Sequence, residues 1–338
     1  MDIYDQILHA NKPYFIAEAA DAHYGSVDRA IAMVDAALNS GADAIKFQHH
    51  IPDEEMLKEI PLSKNMAEPL YEFLTKNALN IDEHQEIFNY CKIKKIEYLC
   101  TPFSLKAAQE LEEKLSLPLY KIGSGELTDL PTLNEIAKFR KPMIVSTGMS
   151  TPGEIKRTYD FLVDRNVKLI LMNCTSAYPP NYSDLNLGYI NIMKHDFPKA
   201  IIGHSDHTNE IYSSLIAIAF GAKIIEKHVT IDNNLSGPDA NVSLTFSQLK
   251  ELIVIANKIS TSISDKKIIN KSEEEIIQWA RRSLVYLKSF KKGHIITPED
   301  IWGKRPGTGV PSANYWEIIG KTLAMDVSAN TLLSMEDF

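Results

Sequence analysis

The feature that most constrains the fold is an alternation of short and long patterns from residue 14 to about residue 260. Short apolar runs rich in β-branched residues alternate with longer stretches in which apolar residues recur at helical spacing, as in 26–42. The short runs are 14–19, 43–48, 97–103, 119–124, 142–148, 168–176, 200–206 and 223–230. This rhythm over about 250 residues predicts a (β/α)8 barrel, an α/β fold.

A doubly wound open sheet is the alternative architecture. That fold usually carries a glycine-rich phosphate turn after its first strand. Here the first run continues as AEAADAHYGS, residues 17–26, which does not have the spacing of that turn. The sequence therefore favours the barrel.

The pattern changes after the barrel region. We predict a catalytic barrel over 1–262, a charged helical linker over 263–282 and a compact module over 283–338. The last segment is rich in glycine, proline and short strands, and it is small enough to need a partner surface for stability.

Composition limits the partners and the compartment. The formal net charge of −8 argues against nucleic acid or an anionic membrane as the main partner. The three cysteines show no paired or metal-like spacing, which indicates a reducing compartment. We see no secretory signal pattern and no apolar run near the roughly 18 residues that span a bilayer. We therefore expect a cytoplasmic protein.

Polar and ionisable residues occupy the C-terminal ends of the predicted strands, where buried parallel strands are normally apolar. They include Glu18, Lys46, Gln48, Thr101, Lys121, Ser124, Glu126, Ser146, Asn173, Glu226 and His228. Internal salt bridges, such as Glu18 or Glu226 with Lys46 or Lys121, are one interpretation. Because barrel active sites lie at this end, the shared position favours a functional site.

The residue types suggest an anion pocket. Lys46 and Lys121 converge with the hydroxyls of Thr101, Ser124, Ser146 and Ser205. Two ammonium groups with several hydroxyl donors suit a phosphate or a carboxylate. A nucleophilic lysine that forms a Schiff base is a rival role for Lys121 or Lys46, since burial lowers a lysine pKa.

Two histidines end neighbouring predicted strands. His207 and His228 follow the seventh and eighth runs, so their imidazoles could share one divalent ion. Two histidines completed by water or substrate oxygen fit Mn, Fe, Co or Zn. Hydrogen-bonded structural histidines are the alternative interpretation.

The motifs resemble, in order, those of the sialic acid (nonulosonic acid) synthases, the family of N-acetylneuraminate, legionaminate and pseudaminate synthases. They are FIAE, HYG, AIKFQ, TPFS, YKIGSGE, STGMS, CTSAYP, GHSDHT, EKHVT, GPD and KRPGTG. The resemblance covers nearly the whole chain and makes the last segment similar to an antifreeze-like (SAF) domain. It implies condensation of phosphoenolpyruvate with the open-chain aldehyde of an N-acylated hexosamine, with C–O cleavage releasing phosphate. It also implies a divalent metal, Mn²⁺ or Mg²⁺.

The resemblance implies roles for single residues as well. The phosphate would be held by Lys121, Ser124, Ser146 and Ser205, and the carboxylate by Lys46, Thr101 and Ser176. His207 and His228 would bind the metal, and the catalytic residues would be Glu126, Glu18 and Lys121, with Glu126 as the acid/base near the attacking water. The sugar would contact Glu18, Asn65, Tyr178, Asp239 and Arg305. Arg305 would reach the barrel of a partner subunit, which implies a domain-swapped homodimer.

Departures from the family pattern concern the sugar. Ala22 stands where the family usually has asparagine, Ala240 follows the GPD motif where many members have histidine, and Ser176 replaces an asparagine of some members. The N-acetylneuraminate type is favoured, with a modified mannosamine as a further candidate substrate. Two other functions stay open: a Schiff-base aldolase that uses free pyruvate, and an inactive sugar-binding relative.

Overall fold

The structure is a computed structural model that describes residues 2–59, 68–232, 239–264 and 266–338. The chain forms two compact units, Met1–Ile263 and Ser264–Phe338. Within the described residues, no helix is long and apolar enough to cross a membrane.

The first unit is built on eight parallel strands. They are β1 (Tyr14–Glu18), β2 (Ala44–His49), β3 (Glu97–Pro102), β4 (Tyr120–Ile122), β5 (Met143–Ser146), β6 (Leu169–Cys174), β7 (Ala200–Asp206) and β8 (Ile224–Thr230). Their order is β3-β2-β1-β8-β7-β6-β5-β4, and β3 also lies beside β4, although no ladder between these two is seen in the described part of the chain. Because β3 and β4, the two ends of this order, lie beside each other, and the first strand pairs with the last, the sheet curves into a nearly closed barrel. The predicted barrel is confirmed, and the open-sheet alternative is wrong.

Helices surround the strands. They are α1 (Ile3–His9), α2 (Val27–Ser40), α3 (Pro52–Glu55), α4 (Leu70–Asn77), α5 (Ile81–Lys94), α6 (Leu105–Lys114), α7 (Leu130–Ala137), α8 (Pro152–Val163), α9 (Tyr189–Asp196), α10 (Tyr212–Ala219) and α11 (Phe246–Ser262). Local chemistry sets several of their ends. The Ser26 hydroxyl accepts the Arg29 N–H at the start of α2, and Gly41 ends that helix with φ 88°. A short strand, β9 (Leu244–Thr245), extends the sheet beside β8.

Alternation along the strands divides the barrel interior into two layers. On β8, Ile225 and Val229 pack outward against the helices, whereas Ile224, Glu226 and His228 point inward. The inward positions near the N-terminal ends are apolar: Ile16, Ala44, Leu99, Leu119, Ile144, Ile170, Met172, Ile201 and Ile224. Ile3 and Ile7 of α1 pack against this layer and close that end. The inward polar residues therefore lie at the opposite, C-terminal end.

The second unit has a small core of its own. It contains α12 (Lys271–Ala280), the antiparallel pair β10 (Ser283–Tyr286) and β11 (Ile301–Lys304), and α13 (Tyr315–Ile318). Its hydrophobic cluster contains the buried side chains of Leu284, Tyr286, Ile296, Ile301, Ile318, Leu323 and Leu333.

Candidate active site

A cavity of about 780 Å³ opens at the C-terminal ends of the barrel strands. Most of the predicted site residues line it: Glu18, Lys46, Thr101, Lys121, Ser124, Glu126, Ser146, Ser176, Tyr178, Ser205, His207, His228 and Asp239. Asn65 lies outside the described residues. Arg305 belongs to the second unit, where its Nε donates to the Ala280 carbonyl (3.2 Å) and its guanidinium lies 5.5 Å from the Trp279 ring centre.

Two buried lysines share one carboxylate at the base of the cavity. The Nζ atoms of Lys46 and Lys121 lie 3.6 and 3.7 Å from the same oxygen, Oε1 of Glu226. Lys46 also pairs with Glu18 at 2.9 Å. The salt bridges considered as an alternative are therefore present, and they lie inside the cavity. With two ammonium groups and two carboxylates, the cluster brings opposite charges together on side chains that are each at most 4% exposed.

Hydroxyl groups surround these ammonium groups. Lys46 Nζ donates to Thr101 Oγ1 at 3.0 Å, and Lys121 Nζ donates to Ser146 Oγ at 2.7 Å. The Ser205 hydroxyl donates to Glu226 at 3.2 Å. Arranged in this way, the ammonium and hydroxyl donors suit a small polyanion such as a phosphate ester.

A glycine keeps this donor cluster open. The N–H of Gly148 donates to Ser124 Oγ at 3.1 Å. A Cβ on Gly148 would lie 2.2 Å from Ser176 Oγ and 2.8 Å from Ser124 Oγ. Only glycine therefore leaves both hydroxyls where they stand.

Burial and the neighbouring charges shift the pKa values of the cluster. Burial raises the pKa of Glu18, and Lys46 only partly offsets this. The pKa of Glu226 is lowered although burial opposes it, because Lys121 and Lys46 both lie close. Burial opposes a charge on Lys46 too, but Glu18 and Glu226 raise its pKa above the usual value. Lys46 is thus held as an ammonium ion, while burial lowers the pKa of Lys121.

The two predicted metal ligands lie close to each other in the same cavity. The ring centres of His207 and His228 are 5.2 Å apart, and Tyr178 stacks on His207 at 4.4 Å. His207 Nδ1 contacts the Thr175 carbonyl at 2.9 Å, an arrangement in which Nδ1 donates and Nε2 is left available. Within the described part of the chain, His228 Nδ1 is buried without a hydrogen-bond partner and lies 3.6 Å from a carboxylate oxygen of Asp239.

These histidines fit a divalent ion that keeps open positions. Burial lowers the pKa of His207 to about 4 and that of His228 to about 3, so both rings are neutral, the form that binds metals. In residues 2–59, 68–232, 239–264 and 266–338, no group of three or more His, Cys, Asp or Glu side chains is arranged as a metal site. The donor set is therefore two imidazoles, and water or substrate oxygen would complete it.

A buried network supports the loop that carries His207. Lys227 and Asp206, both fully buried, form an ion pair of 3.2 Å on the outward face of β7 and β8. Asp206 also accepts the Thr208 N–H at 2.9 Å, and the Ser213 and Ser214 hydroxyls donate to it. Asp206 thus fixes the turn and does not enter the cavity.

Glu126 is a carboxyl group with a free oxygen. It lies in the loop after β4, and its Oε2 is buried without a hydrogen-bond partner among the described residues. A Cβ on Gly123 would lie 2.3 Å from this oxygen, so the glycine makes room for the carboxyl group. Burial, together with Glu55, raises the pKa of Glu126, which suits a group that exchanges a proton near neutral pH.

Sequence reasoning left several cavity residues without a role. Gln48 and Glu226 were recognised only as polar strand residues, and Asp21, His50 and Glu55 were missed. His50 shares the inward periodicity of Lys46 and Gln48, so strand alternation was a signal for it. Asp21 and Glu55 lie in a loop and a short helix, where no periodic signal exists.

Comparison with known proteins places this geometry in a family. Residues 33–268 match the NeuB family, and residues 281–338 match the SAF domain. The chain is 37% identical to the N,N'-diacetyllegionaminic acid synthase of Campylobacter jejuni subsp. jejuni serotype O:2, over 95% of this chain and 99% of that protein. It is 32% identical to the pseudaminic acid synthase of Campylobacter jejuni subsp. jejuni serotype O:23/36, over 97% of each chain.

A solved structure shares the fold. A putative spore coat polysaccharide biosynthesis protein E from Chromobacterium violaceum has a TM-score of 0.81 and 22% identity, over 96% of this chain and 99% of that chain. This likeness concerns the fold alone. The resemblance found in the sequence motifs is confirmed: the chain belongs to the NeuB family of nonulosonic acid synthases and carries a SAF domain at its C-terminal end.

Proposed function

We propose that the protein condenses phosphoenolpyruvate with an N-acylated hexosamine to give a nine-carbon 2-keto acid and phosphate. The observation that carries this proposal is that one cavity holds two chemically different sets of groups. It is lined both by two buried ammonium groups with hydroxyl partners and by a neutral histidine pair. The first set suits a trianion and the second suits a metal that binds an aldehyde.

The lysine cluster would bind phosphoenolpyruvate. Its phosphate would take Lys121, Ser124, Ser146 and Ser205, and its carboxylate would take Lys46, Thr101 and Ser176. Lys46 is held as an ammonium ion by Glu18, so it offers a permanent positive charge to the incoming anion. The hydroxyls already accept from these ammonium groups, which indicates that little rearrangement is needed for binding.

The sugar would lie above this cluster. His207 and His228 would hold the divalent metal, Mn²⁺ or Mg²⁺, which would polarise the aldehyde oxygen when bound. Tyr178 and Asp239 adjoin the histidine pair and would contact sugar hydroxyls, with Glu18, Asn65 and Arg305 as further contacts.

The reaction forms one carbon–carbon bond and breaks one carbon–oxygen bond. C3 of phosphoenolpyruvate bonds to the aldehyde carbon, water adds at C2, and phosphate leaves with the bridging oxygen, so the ketone oxygen comes from water. Glu126 would take the proton of the attacking water, because this residue lines the cavity and its pKa is raised. Since phosphoenolpyruvate is a metabolite of the cytoplasm, we place the reaction there.

One assay tests the function. The protein is incubated with phosphoenolpyruvate, Mn²⁺ and a panel of N-acylated hexosamines, and phosphate release and product mass are measured. We expect at least one sugar to give a product that contains the pyruvate carbons. If no sugar consumes phosphoenolpyruvate, the proposal is wrong. Borohydride treatment with pyruvate tests the aldolase alternative, which the lowered pKa of Lys121 supports: labelling of a lysine would favour it.

Metal content tests the histidine pair. His207→Ala is expected to lose both bound Mn²⁺, measured by calorimetry, and turnover. His195→Ala is the matched control, because that imidazole is 90% exposed. Equal Mn²⁺ affinity in the two variants would remove His207 from the site.

Mixed subunits test the proposed domain-swapped homodimer. Arg305→Ala and Lys121→Ala subunits are each expected to be inactive alone and to recover part of the activity when they are mixed. Recovery requires one site to combine an intact Lys121 from one chain with an intact Arg305 from the other. The absence of any recovery would contradict the swap.

A further inference from the structure

We infer that the buried ion pair between Lys227 and Asp206 positions His207 and His228 to share one metal ion. This inference rests on the proposed function, because that function includes a metal at the two histidines. It adds two positioning residues that lie behind the wall of the cavity. Lys227 and Asp206 would act on the metal through the histidines and would not touch it.

Each member of the pair directly precedes one of the proposed metal ligands. Asp206 comes before His207, and Lys227 comes before His228. Because successive side chains of a strand point to opposite faces, the histidines line the cavity while the charged pair lies on the outward face of β7 and β8. One peptide unit therefore connects each charged residue to a ligand, and a shift of either residue moves a ligand with it.

The pair lies where the backbone pairing of β7 and β8 ends. In the described residues, the ladder between these strands ends with Asp206 opposite Lys227. His228 is also in register with β1, whereas His207 lies one residue beyond the end of β7. The ladder thus does not extend to His207, and side-chain contacts help to fix its distance from His228.

The ammonium group of Lys227 contacts the residues on both sides of His207. Its Nζ lies 3.2 Å from a carboxylate oxygen of Asp206. It also donates to the Thr208 hydroxyl at 3.0 Å and to the Thr208 carbonyl. One group, carried by the residue before His228, therefore holds the turn that presents His207.

Other buried contacts hold the carboxylate of this pair in place. Oδ1 of Asp206 accepts the Thr208 N–H at 2.9 Å, and its Oδ2 accepts the hydroxyls of two serines on α10, Ser213 and Ser214. Both charged side chains are 0% exposed, so separating them would leave each charge buried without compensation. A buried ion pair adds little net stability compared with apolar residues of similar size, so its place beside both ligands points to a positioning role.

Mn²⁺ affinity tests the positioning role without the need for turnover. The double variant Asp206→Asn, Lys227→Met removes both charges and leaves neither partner as an unpaired ion. Its dissociation constant for Mn²⁺, measured by calorimetry, is expected to rise about tenfold or more, the usual effect of losing a group that orients a metal ligand. The double variant Asp160→Asn, Lys156→Met makes the same substitutions in an exposed ion pair on α8 and is expected to keep the parent's affinity.

A second control separates positioning from stability. Ile7→Ala weakens the barrel at its closed end and should leave the Mn²⁺ affinity within about twofold of the parent's, because well-separated sites act independently. If the folded double variant of Asp206 and Lys227 also keeps the parent's affinity, the inference is overturned, whatever the stability of that variant in urea.

A milder variant serves if that double variant does not fold by circular dichroism. Thr208→Val removes one hydroxyl partner of Lys227 and keeps the side-chain volume. Its dissociation constant for Mn²⁺ is expected to rise about threefold or more, which corresponds to the loss of one buried hydrogen bond. An unchanged affinity in folded Thr208→Val overturns the inference.

The outcome for the ion pair is separate from the outcome for the proposed function. If no sugar is turned over, the proposed function fails, and the Mn²⁺ titrations still decide the role of the pair. If a sugar is turned over, the double variant should need more Mn²⁺ for half-maximal activity with an unchanged KM for phosphoenolpyruvate; a raised KM with an unchanged Mn²⁺ requirement contradicts the inference. If the parent and His207→Ala bind Mn²⁺ equally, the histidines hold no metal, and the inference falls with that assignment.

Discussion

Replacing Lys46 by methionine is expected to destabilise the barrel by about 3–5 kcal/mol, the usual consequence of removing one partner from a buried ion pair. Methionine preserves most of the length of the side chain, so the change removes charge and leaves little empty space. The three groups involved are fully buried: Lys46 is 2% exposed, Glu18 1% and Glu226 4%.

The size of this loss of stability depends on the partners that Glu18 and Glu226 keep when Lys46 is replaced. Without Lys46, the partner that Glu18 keeps among the described residues is the amide donor of Gln48 at 2.7 Å. Glu226 keeps Lys121 at 3.7 Å and the Ser205 hydroxyl at 3.2 Å, so its environment is less disturbed. Most of the loss should therefore come from Glu18. The second variant, Lys46→Met with Glu18→Gln, should recover more than half of the lost stability, since no unpaired carboxylate is left there.

Urea unfolding followed by circular dichroism measures these differences. Lys156→Met is the control, because its pair with Asp160 on α8 is exposed and such pairs contribute only about 0.2–1 kcal/mol. If Lys46→Met unfolds at the same urea concentration as Lys156→Met, the cluster does not hold an obligatory buried ion pair. If Glu18→Gln brings no recovery, Glu18 is not the group left without a partner.

Three further variants test other parts of the structure. Ile7→Ala removes a fully buried side chain of α1 from the closed end of the barrel and should cost about 2–4 kcal/mol in urea unfolding; a loss below about 1 kcal/mol would show that α1 does not seal the core. Burial raises the pKa of Asp21 from 3.8 to about 6, so the native protein holds this proton more tightly than the unfolded chain, and the free energy of unfolding falls as pH rises through this range. Asp21→Asn removes this dependence, so the stability of the variant relative to the parent should be about 3 kcal/mol greater at pH 7 than at pH 3.5; a difference that does not vary with pH would contradict this. Gly148→Ala would push aside the Ser124 and Ser176 hydroxyls and should raise the KM for phosphoenolpyruvate roughly tenfold with unchanged urea stability; an unchanged KM would place the anion elsewhere.

Most of the fold could be predicted from the strand pattern. Each predicted strand overlaps an observed one, because a strand buried on both faces is an uninterrupted apolar run whose ends are set by polar residues and turns. The inward direction of Lys46 and Glu226 also follows from the alternation of side chains along a strand.

The contacts between charged side chains inside the cavity could not be predicted from the sequence. Nothing in the order of residues states that Lys46 and Lys121 share a single oxygen of Glu226, since this depends on the curvature of the closing sheet. Two other cavity residues were missed for a related reason: Asp21 lies in a loop and Glu55 in a helix of four residues, so no periodicity indicates the direction of either side chain.

The charge balance of the lysine cluster explains why its carboxylates are present at all. Two bare ammonium groups at the base of a barrel would lose their protons or destabilise the fold, because desolvation penalises an isolated charge. Glu18 and Glu226 keep Lys46 charged while no anion is bound, at distances that an incoming anion can replace with stronger contacts. A trianionic ligand then adds more negative charge than the two lysines supply, so its binding should favour protonation of Glu18, whose pKa is already raised by burial. Anion binding accompanied by proton uptake, measured by calorimetry in buffers of different ionisation enthalpy, is the expected consequence; binding without proton uptake would mean that the carboxylates stay ionised and move away.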